Sequence, residues 1–145
     1  MIVIFDLDGT LALIDHRRHL VENRQASNDD WRTFFAACID DEPNVPVITI
    51  LQSLKYQGFE IIIFSGRSDE VRPQTENWLQ KHNIPYDRLV MRKEGDHRPD
   101  EKLKRNWLKG MDKSKILCVF DDRDKVVRMW REEGLTCFQV APGDF

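Results

Sequence analysis

The sequence predicts an α/β domain, a three-layer sandwich in which helices cover both faces of a mostly parallel sheet. Two observations predict this fold. Short runs rich in Ile and Val alternate along the chain with segments of helical periodicity, which is the order that βαβ units produce. The stronger apolar runs also lack the polar–apolar alternation of half-exposed strands, as expected of strands that are covered on both faces.

Five apolar runs are the predicted strands. They are MIVIF at residues 1–5, EIIIFS at 60–65, RLVM at 88–91, KILCVF at 115–120 and TCFQV at 136–140. Parallel neighbours need long crossover connections, and the helical segments between these runs are long enough to provide them.

Four helices are predicted between the strands from apolar spacing and from the residues that start and stop helices. The first begins near Pro46 and ends before Gly58, and the second begins at Pro73. Pro is favoured in the first turn of a helix and Gly just past its end. The third helix ends at Gly110, and the fourth covers residues 124–133.

One segment, residues 13–44, interrupts this order between the first strand and the first of these helices. It is too long for an ordinary connection and too patterned for disorder. Its aromatic and apolar positions predict two short helices, the second capped near Asn28. We interpret the segment as a small helical cap insertion within a single domain of residues 1–145. None of the seven glycines is followed by Lys, so no kinase domain with a P-loop is expected.

Composition narrows the class of protein. The 145 residues carry a net charge of −3 and are 41% hydrophobic, and no apolar run approaches the roughly 20 residues of a membrane span. No membrane partner is therefore expected. The three cysteines are odd in number and scattered, which favours a reducing cytoplasm, that of the host if the protein is phage-encoded. Residues 88–109 hold eight bases against four acids, an excess that can mark an anionic ligand.

Polar side chains follow three of the predicted strands, at the edge where open parallel sheets bind ligands. These are Asp6, Asp8 and Thr10 after the first strand, Ser65, Gly66 and Arg67 after the second, and Asp121, Asp122 and Arg123 after the fourth, with Lys104 on the helix before the fourth. Taken singly, each group is typical of a turn or a helix cap.

The groups together indicate a more specific chemistry. Four converging carboxylates need a hard divalent cation, and an all-oxygen set suits Mg²⁺, with Mn²⁺ as a substitute. A hydroxyl, turn amides, a lysine and an arginine need an anion with several oxygens. A phosphoryl group satisfies both requirements, and it would let Asp6 and Asp8 share one side of the strand despite their repulsion.

In this order, DLDGT, FSGR, Lys104 and FDDRD resemble the four motifs of the haloacid dehalogenase-type (HAD) phosphohydrolases. The resemblance implies a Rossmann-like sandwich and a phosphatase in which Asp6 attacks phosphorus and becomes an aspartyl-phosphate. It implies that Asp8 protonates the leaving oxygen and then deprotonates water. For Asp8 to act as an acid, a like-charged neighbour is expected to raise its pKa.

The same resemblance assigns the remaining members of the site. Ser65 and Lys104 would hold phosphate oxygens, beside Thr10 and the Gly66 turn. Mg²⁺ would be held by Asp6, the main-chain carbonyl of Asp8 and Asp121, with Asp122 supporting through water.

A narrower similarity concerns the substrate. GTLALIDHR, SGR, EGDHRPDEKLK, DDRDKVVRMWR and CFQVAPGDF are similar to the phosphatase half of phage polynucleotide kinase/3′-phosphatases. This similarity implies substrate-binding roles for Arg17, Arg67 and Asp100, and a nucleic-acid 3′ end or a phosphorylated nucleotide as the substrate. Asp100 and Lys104 are also spaced as an ordinary helix-stabilising pair.

Three alternatives stay open at this point. A nucleoside monophosphate phosphatase would use the same residues. A signalling receiver domain also combines Asp, Mg²⁺ and Lys on a doubly wound sheet, but it places its phospho-acceptor after a middle strand, where this chain has Ser65. A non-catalytic binding module would be expected to have lost Asp6 or Asp8. The sequence leaves the oligomeric state open.

Overall fold

The computed structural model describes residues 1–22 and 25–145, and a parallel sheet lies at its centre. Its strands are β1 (Ile2–Asp6), β4 (Glu60–Ser68), β5 (Arg88–Arg92), β6 (Ile116–Asp121) and β7 (Cys137–Gln139), and a separate antiparallel pair is formed by β2 (Ala12–Leu13) and β3 (Glu42–Pro43). The order in the sheet is β5-β4-β1-β6-β7, and every neighbouring pair is parallel. The five predicted strands are confirmed.

Five α-helices accompany these strands in the described residues. They are α1 (Asn28–Ala36), α2 (Val45–Tyr56), α3 (Arg72–Lys81), α4 (Asp100–Leu108) and α5 (Asp124–Glu132). Proline occupies the first turn of both α2 and α3, as predicted. Within the described part of the chain, none of the helices has the length and apolar character that crossing a membrane would require.

Two apolar cores, one on each face of the sheet, make the molecule a three-layer sandwich. On one face α2 and α3 contribute Leu51 and Trp78 to a core that includes Phe5 of β1. On the other face α5 contributes Trp130, which packs in a second core with Ile4. Because successive side chains of β1 point to opposite faces, this central strand serves both cores. The predicted fold class is confirmed.

The insertion differs in detail from its prediction. Its first helix is only a three-residue 3-10 turn at Arg18–Leu20. The second, α1, is capped by Ser27 instead of Asn28. The Ser27 hydroxyl accepts a hydrogen bond from the backbone N–H of Asp30, and the Asp30 side chain accepts one from the backbone N–H of Ser27, which together form a capping box. Residues 23 and 24 of the insertion lie outside the described residues.

The SGR turn also differs from its prediction. The strand was predicted to end at Ser65, with Gly66 and Arg67 beyond it, but β4 continues to Ser68. Its pairing with β5 is shifted, since Ser65 pairs with Met91 and Ser68 with Arg92. Two extra residues on one strand form a bulge, which re-aims side chains at a sheet edge. Gly66 and Arg67 therefore lie in the bulge, and β4 pairs with β5 on both sides of them.

Candidate active site

A buried cluster of three carboxylates lies at the carboxyl edge of the sheet. Asp6 ends β1, Asp121 ends β6, and Asp122 follows directly. Because β1 and β6 are parallel neighbours, their last residues come side by side. One oxygen from each carboxylate lies within 4.8 Å of the other two. The structure thus brings together three of the four acids that the sequence assigned to a metal.

The electrostatics of this cluster call for positive charge. Burial, reinforced by the charge of Asp121, raises the pKa of Asp6 well above its usual range. The same two causes raise the pKa of Asp122 to about 7. Buried carboxylates at this spacing repel one another and are ionised together only when a cation compensates them. The donor set is all oxygen, which fits a hard divalent ion such as Mg²⁺.

Lys104 supplies part of this positive charge from α4. Its Nζ atom lies 2.6 Å from Oδ1 of Asp6 and 3.1 Å from Oδ2 of Asp121. Burial alone would lower the pKa of Lys104, but Asp121 and Asp6 outweigh that effect and raise it, so the side chain is a cation. Thr10, which was expected to bind substrate, instead donates its hydroxyl to Oδ2 of Asp6 at 3.1 Å. Both contacts fix the direction of the Asp6 carboxylate.

The Asp8 side chain is held apart from the cluster by two arginines. Its Oδ1 atom accepts hydrogen bonds from Nη2 of Arg17 at 2.7 Å and from Nε of Arg67 at 2.9 Å. Burial raises the pKa of Asp8, but the charges and hydrogen bonds of Arg67 and Arg17 outweigh burial and lower it overall. The expectation of a raised pKa is therefore wrong, because the nearest partners of Asp8 are cations.

Asp41, in the insertion, holds the same two arginines from the other side. Its carboxylate accepts Nε of Arg17 at 2.8 Å and Nη2 of Arg67 at 2.9 Å, and its Oδ1 atom lies 2.6 Å from Nε2 of His16. Sequence reasoning missed Asp41. No local pattern in the sequence marks it. The need for Asp41 becomes visible only once both arginines are known to be buried, because together they require more negative charge than Asp8 provides.

Arg17 and Arg67 are enclosed by protein, although the sequence assigned them to the substrate. Their side chains are 1% and 0% exposed. Beyond the two aspartates, Arg17 donates to the backbone oxygen of Phe34 at 3.1 Å and Arg67 donates to the hydroxyl of Thr75 at 3.1 Å. This geometry favours a role in holding Asp8 over direct contact with a phosphate.

Ser65 and Gly66 lie in the β4 bulge beside the carboxylate cluster. The Ser65 hydroxyl is buried and accepts the backbone N–H of Arg67 at 3.1 Å. The backbone of Gly66 is closely covered, because a Cβ atom there would lie 2.6 Å from Oδ1 of Asp100. Ser65 is thus positioned at the carboxyl edge of the sheet. Any residue larger than glycine at position 66 would displace the Asp100 side chain.

Asp100 does not form the pair with Lys104 that the helical spacing suggested, because Lys104 reaches Asp6 and Asp121. Instead it binds Arg92, which was not predicted to belong to the site, and Arg123, which was predicted to lie at this edge. The Asp100 carboxylate pairs with Nη2 of Arg92, and its Oδ2 atom lies 3.2 Å from Nη1 of Arg123. Arg92 also donates to the backbone oxygen of Gly66 at 2.8 Å. Two guanidinium groups are therefore gathered next to the carboxylate cluster.

A family model and a viral relative each match this chain over nearly its whole length. The family model described as the polynucleotide kinase PNKP phosphatase domain matches residues 1–145. A protein of Autographa californica nuclear polyhedrosis virus, assigned as a bifunctional polynucleotide kinase/RNA ligase, is 36% identical over 146 residues. The match covers 96% of this chain but 19% of the viral protein, so the chain spans about a fifth of that relative.

Solved structures share the fold. A chain of the Pnkp1/Rnl/Hen1 complex superposes with a TM-score of 0.82 at 38% identity, covering 99% of this chain and 47% of the other. A crystal structure of a predicted phosphatase from Clostridium acetobutylicum has a TM-score of 0.70 at 17% identity over 94% of this chain and 82% of its own. The second likeness concerns the fold alone.

Proposed function

The chain belongs to the family of polynucleotide kinase phosphatase domains, and on that premise we propose that it hydrolyses a 3′-terminal phosphate of a nucleic acid through a phosphoenzyme formed on Asp6. The observation that carries this proposal is the separation of the two N-terminal aspartates. Asp6 lies in the cluster with Lys104, whereas Asp8 is held outside it by Arg17 and Arg67. One carboxylate is placed to react and the other to move protons.

In the first half of the reaction, an oxygen of Asp6 forms a bond to phosphorus, and the bond from phosphorus to the leaving oxygen breaks. Asp8 gives a proton to that leaving oxygen. Because Arg17 and Arg67 keep Asp8 ionised in the free protein, it takes up this proton when the negatively charged phosphate binds beside it. Thr10 and Lys104 orient the Asp6 carboxylate, while the Lys104 ammonium and the Ser65 hydroxyl offset charge on the phosphoryl oxygens. In the second half, Asp8 takes a proton from water as the water oxygen attacks phosphorus, and the bond to Asp6 breaks.

A divalent cation would be held by Asp6, Asp121 and Asp122, which the close approach of their oxygens supports. We propose Mg²⁺ for this site, with Mn²⁺ as a substitute. When bound, it would supply positive charge that screens the phosphate from the carboxylates and stabilises the transition state. The main-chain carbonyl of Asp8 is proposed as a further ligand.

The substrate is proposed from family membership and from charge beside the site. Of the basic residues between 88 and 109, Arg92 lies next to the site but is paired with Asp100, whereas Lys93 and Lys102 are exposed. Others on this stretch are neutralised locally, as Arg98 is by Asp96 at 2.6 Å. The remaining cations suit the phosphates that precede a 3′ end. A nucleoside monophosphate would fit the same reactive groups but would not use these outer charges.

The test compares a 3′-phosphorylated oligonucleotide with the matching nucleoside 3′-monophosphate. Phosphate release is measured at about 50 mM and about 200 mM salt, with Asp6→Asn as the inactive control. We expect the oligonucleotide to have the higher kcat/KM at low salt and to lose that advantage as salt rises, because contacts with several phosphates release counterions. Equal kcat/KM values at low salt would favour a nucleotidase. No phosphate release from either substrate would overturn the proposal.

A further inference from the structure

The end of the chain folds back onto the loop that carries two of the clustered carboxylates. We call residues 139–145 the tail segment; it begins at the last residue of β7. The backbone N–H of Val140 donates to the carbonyl of Asp121 at 3.0 Å, and the side-chain amide of Gln139 donates to the carbonyl of Asp122 at 2.9 Å. In return, the N–H of Asp124 donates to the carbonyl of Gly143 at 2.9 Å. The proposed reaction leaves this segment without a role.

Gly143 makes the closest of these contacts. A Cβ atom at this position would overlap the carbonyl oxygen of Asp122 and lie 2.6 Å from Cα of Arg123. The obstruction is main chain, which cannot rotate away as a side chain can. Gly143 is also outside the group of glycines with positive φ, so the position requires glycine for space and not for backbone conformation.

Asp122 is confined on its other side by a second glycine. Gly9, at φ 82°, lies so close that a Cβ atom there would overlap Oδ2 of Asp122. The carboxylate of Asp122 therefore packs against the Gly9 backbone, while its carbonyl packs against Gly143. Gly9 therefore restricts the side chain of Asp122, and Gly143 restricts its main chain.

Phe145, in the tail segment, also contacts Arg123, the residue that follows Asp122. Its backbone oxygen accepts Nε of Arg123 at 2.6 Å. The Cζ atom of Arg123 lies 5.3 Å from the centre of the Phe145 ring, and that of Arg18, from the insertion, lies 4.0 Å from it. Contacts between guanidinium groups and aromatic rings at these distances are attractive. The tail segment thus joins the Asp122–Arg123 loop to the insertion.

We propose that the tail segment positions the metal-binding carboxylates, with Gly143 as the residue that sets the main chain of Asp122. This inference rests on the metal site of the proposed function, but it concerns a residue that touches neither substrate nor ion. Residues behind the ligands of a metal site orient those ligands, and their replacement typically costs about 10–100-fold in metal affinity. Displacing the Asp122 carbonyl would turn its carboxylate away from Asp6 and Asp121.

The test is Gly143→Ala, with Gly110→Ala as the matched control. A Cβ atom at Gly110 would meet only the Trp107 carbonyl, at an ordinary 3.7 Å, and its φ is not positive. Magnesium affinity is measured by calorimetric titration without substrate, and the midpoint of thermal unfolding is measured in EDTA. We expect Gly143→Ala to bind Mg²⁺ about 10–100-fold more weakly and its kcat/KM to recover as Mg²⁺ is raised. Gly110→Ala should bind Mg²⁺ as the wild type does.

Gln139→Leu is the second variant, because Gly143→Ala could fail to fold. It removes a side-chain donor to Asp122 and leaves every backbone contact in place, so we expect a smaller loss of Mg²⁺ affinity in the same direction. The inference is overturned if both variants fold and bind Mg²⁺ with wild-type affinity. It is also overturned if Gly143→Ala does not fold and Gln139→Leu binds Mg²⁺ with wild-type affinity. A wild-type protein that binds Mg²⁺ but releases no phosphate overturns the proposed function alone. A wild-type protein that binds no Mg²⁺ overturns the inference as well.

Discussion

Oδ2 of Asp41 lies 2.9 Å from Nη2 of Arg67, and both side chains are completely enclosed. The two residues are 26 positions apart in sequence, one in the insertion and the other in the β4 bulge. Arg67 also binds Asp8 at the sheet edge. This ion pair therefore connects the insertion to the side chain that we propose as the proton carrier. Buried pairs of this kind depend on both partners, since either one alone is an uncompensated charge.

The first prediction concerns Asp41. Asp41→Asn should lower the free energy of unfolding by about 3–5 kcal/mol, because it leaves Arg17 and Arg67 short of one buried negative charge. It should also reduce phosphatase activity, because both arginines orient Asp8. Urea denaturation and phosphate release measure the two effects. The adjacent Asp40 is exposed, so Asp40→Asn is the control and should change neither. A similar small effect from both variants would contradict the prediction.

The second prediction concerns proton transfer. Asp8→Asn should reduce turnover about 10²–10⁴-fold for an alkyl phosphate, whose leaving oxygen must be protonated. The loss should be smaller for an aryl phosphate, whose leaving group departs without help. Rates for the two substrates with wild type and variant give the comparison, and circular dichroism checks the fold. Equal losses on both substrates would argue against Asp8 as the proton donor.

The third prediction concerns metal. Because the carboxylates of Asp6, Asp121 and Asp122 are buried and repel one another, a divalent cation should stabilise the fold. Mg²⁺ at about 100 times its dissociation constant should add about 2.7 kcal/mol, visible as a higher midpoint of thermal unfolding. EDTA should abolish activity, and Mn²⁺ should restore it. Asp122→Asn should lose most of the Mg²⁺-dependent shift. Full activity after verified removal of metal would rule out this assignment.

The fourth prediction concerns acid stability away from the site. Hydrogen bonds from Lys55, at 2.7 Å, and from the backbone N–H of Ile61, at 2.8 Å, lower the pKa of Asp87 from 3.8. The folded protein therefore binds this proton less readily than the unfolded chain does. Its stabilisation is complete above about pH 4 and is lost as the pH falls through the lower folded pKa.

Asp87→Asn should accordingly reduce stability at pH 7 by about 1 kcal/mol or less, since the pair is partly exposed. The difference from wild type should narrow below pH 4. Thermal unfolding over pH 2.5–7 measures it, with the exposed Asp15→Asn as control. A difference between wild type and Asp87→Asn that stays constant over that range would show that Asp87 does not act through its charge.

Local chemistry was enough to predict the fold and most of the carboxylate cluster. The run MIVIF before Asp6 and the run KILCVF before Asp121 determine two buried parallel strands, and parallel strands end at the same edge. Sequence order alone therefore places Asp6, Asp121 and Asp122 near one another. The proline-initiated helices α2 and α3 follow in the same way from fixed backbone preferences.

Only the tertiary structure decided which groups pair inside that edge. Asp41 is one of several acids in its segment, and nothing local distinguishes it from the exposed Asp40. Whether Asp8 faces a like charge or two arginines depends on how the insertion folds against β4. That packing therefore determines the direction in which the pKa of Asp8 shifts. The close approach of Gly143 to Asp122 likewise joins residues that no local pattern relates. Ion pairing and packing act through space at a few ångströms, and the distance along the chain does not determine them.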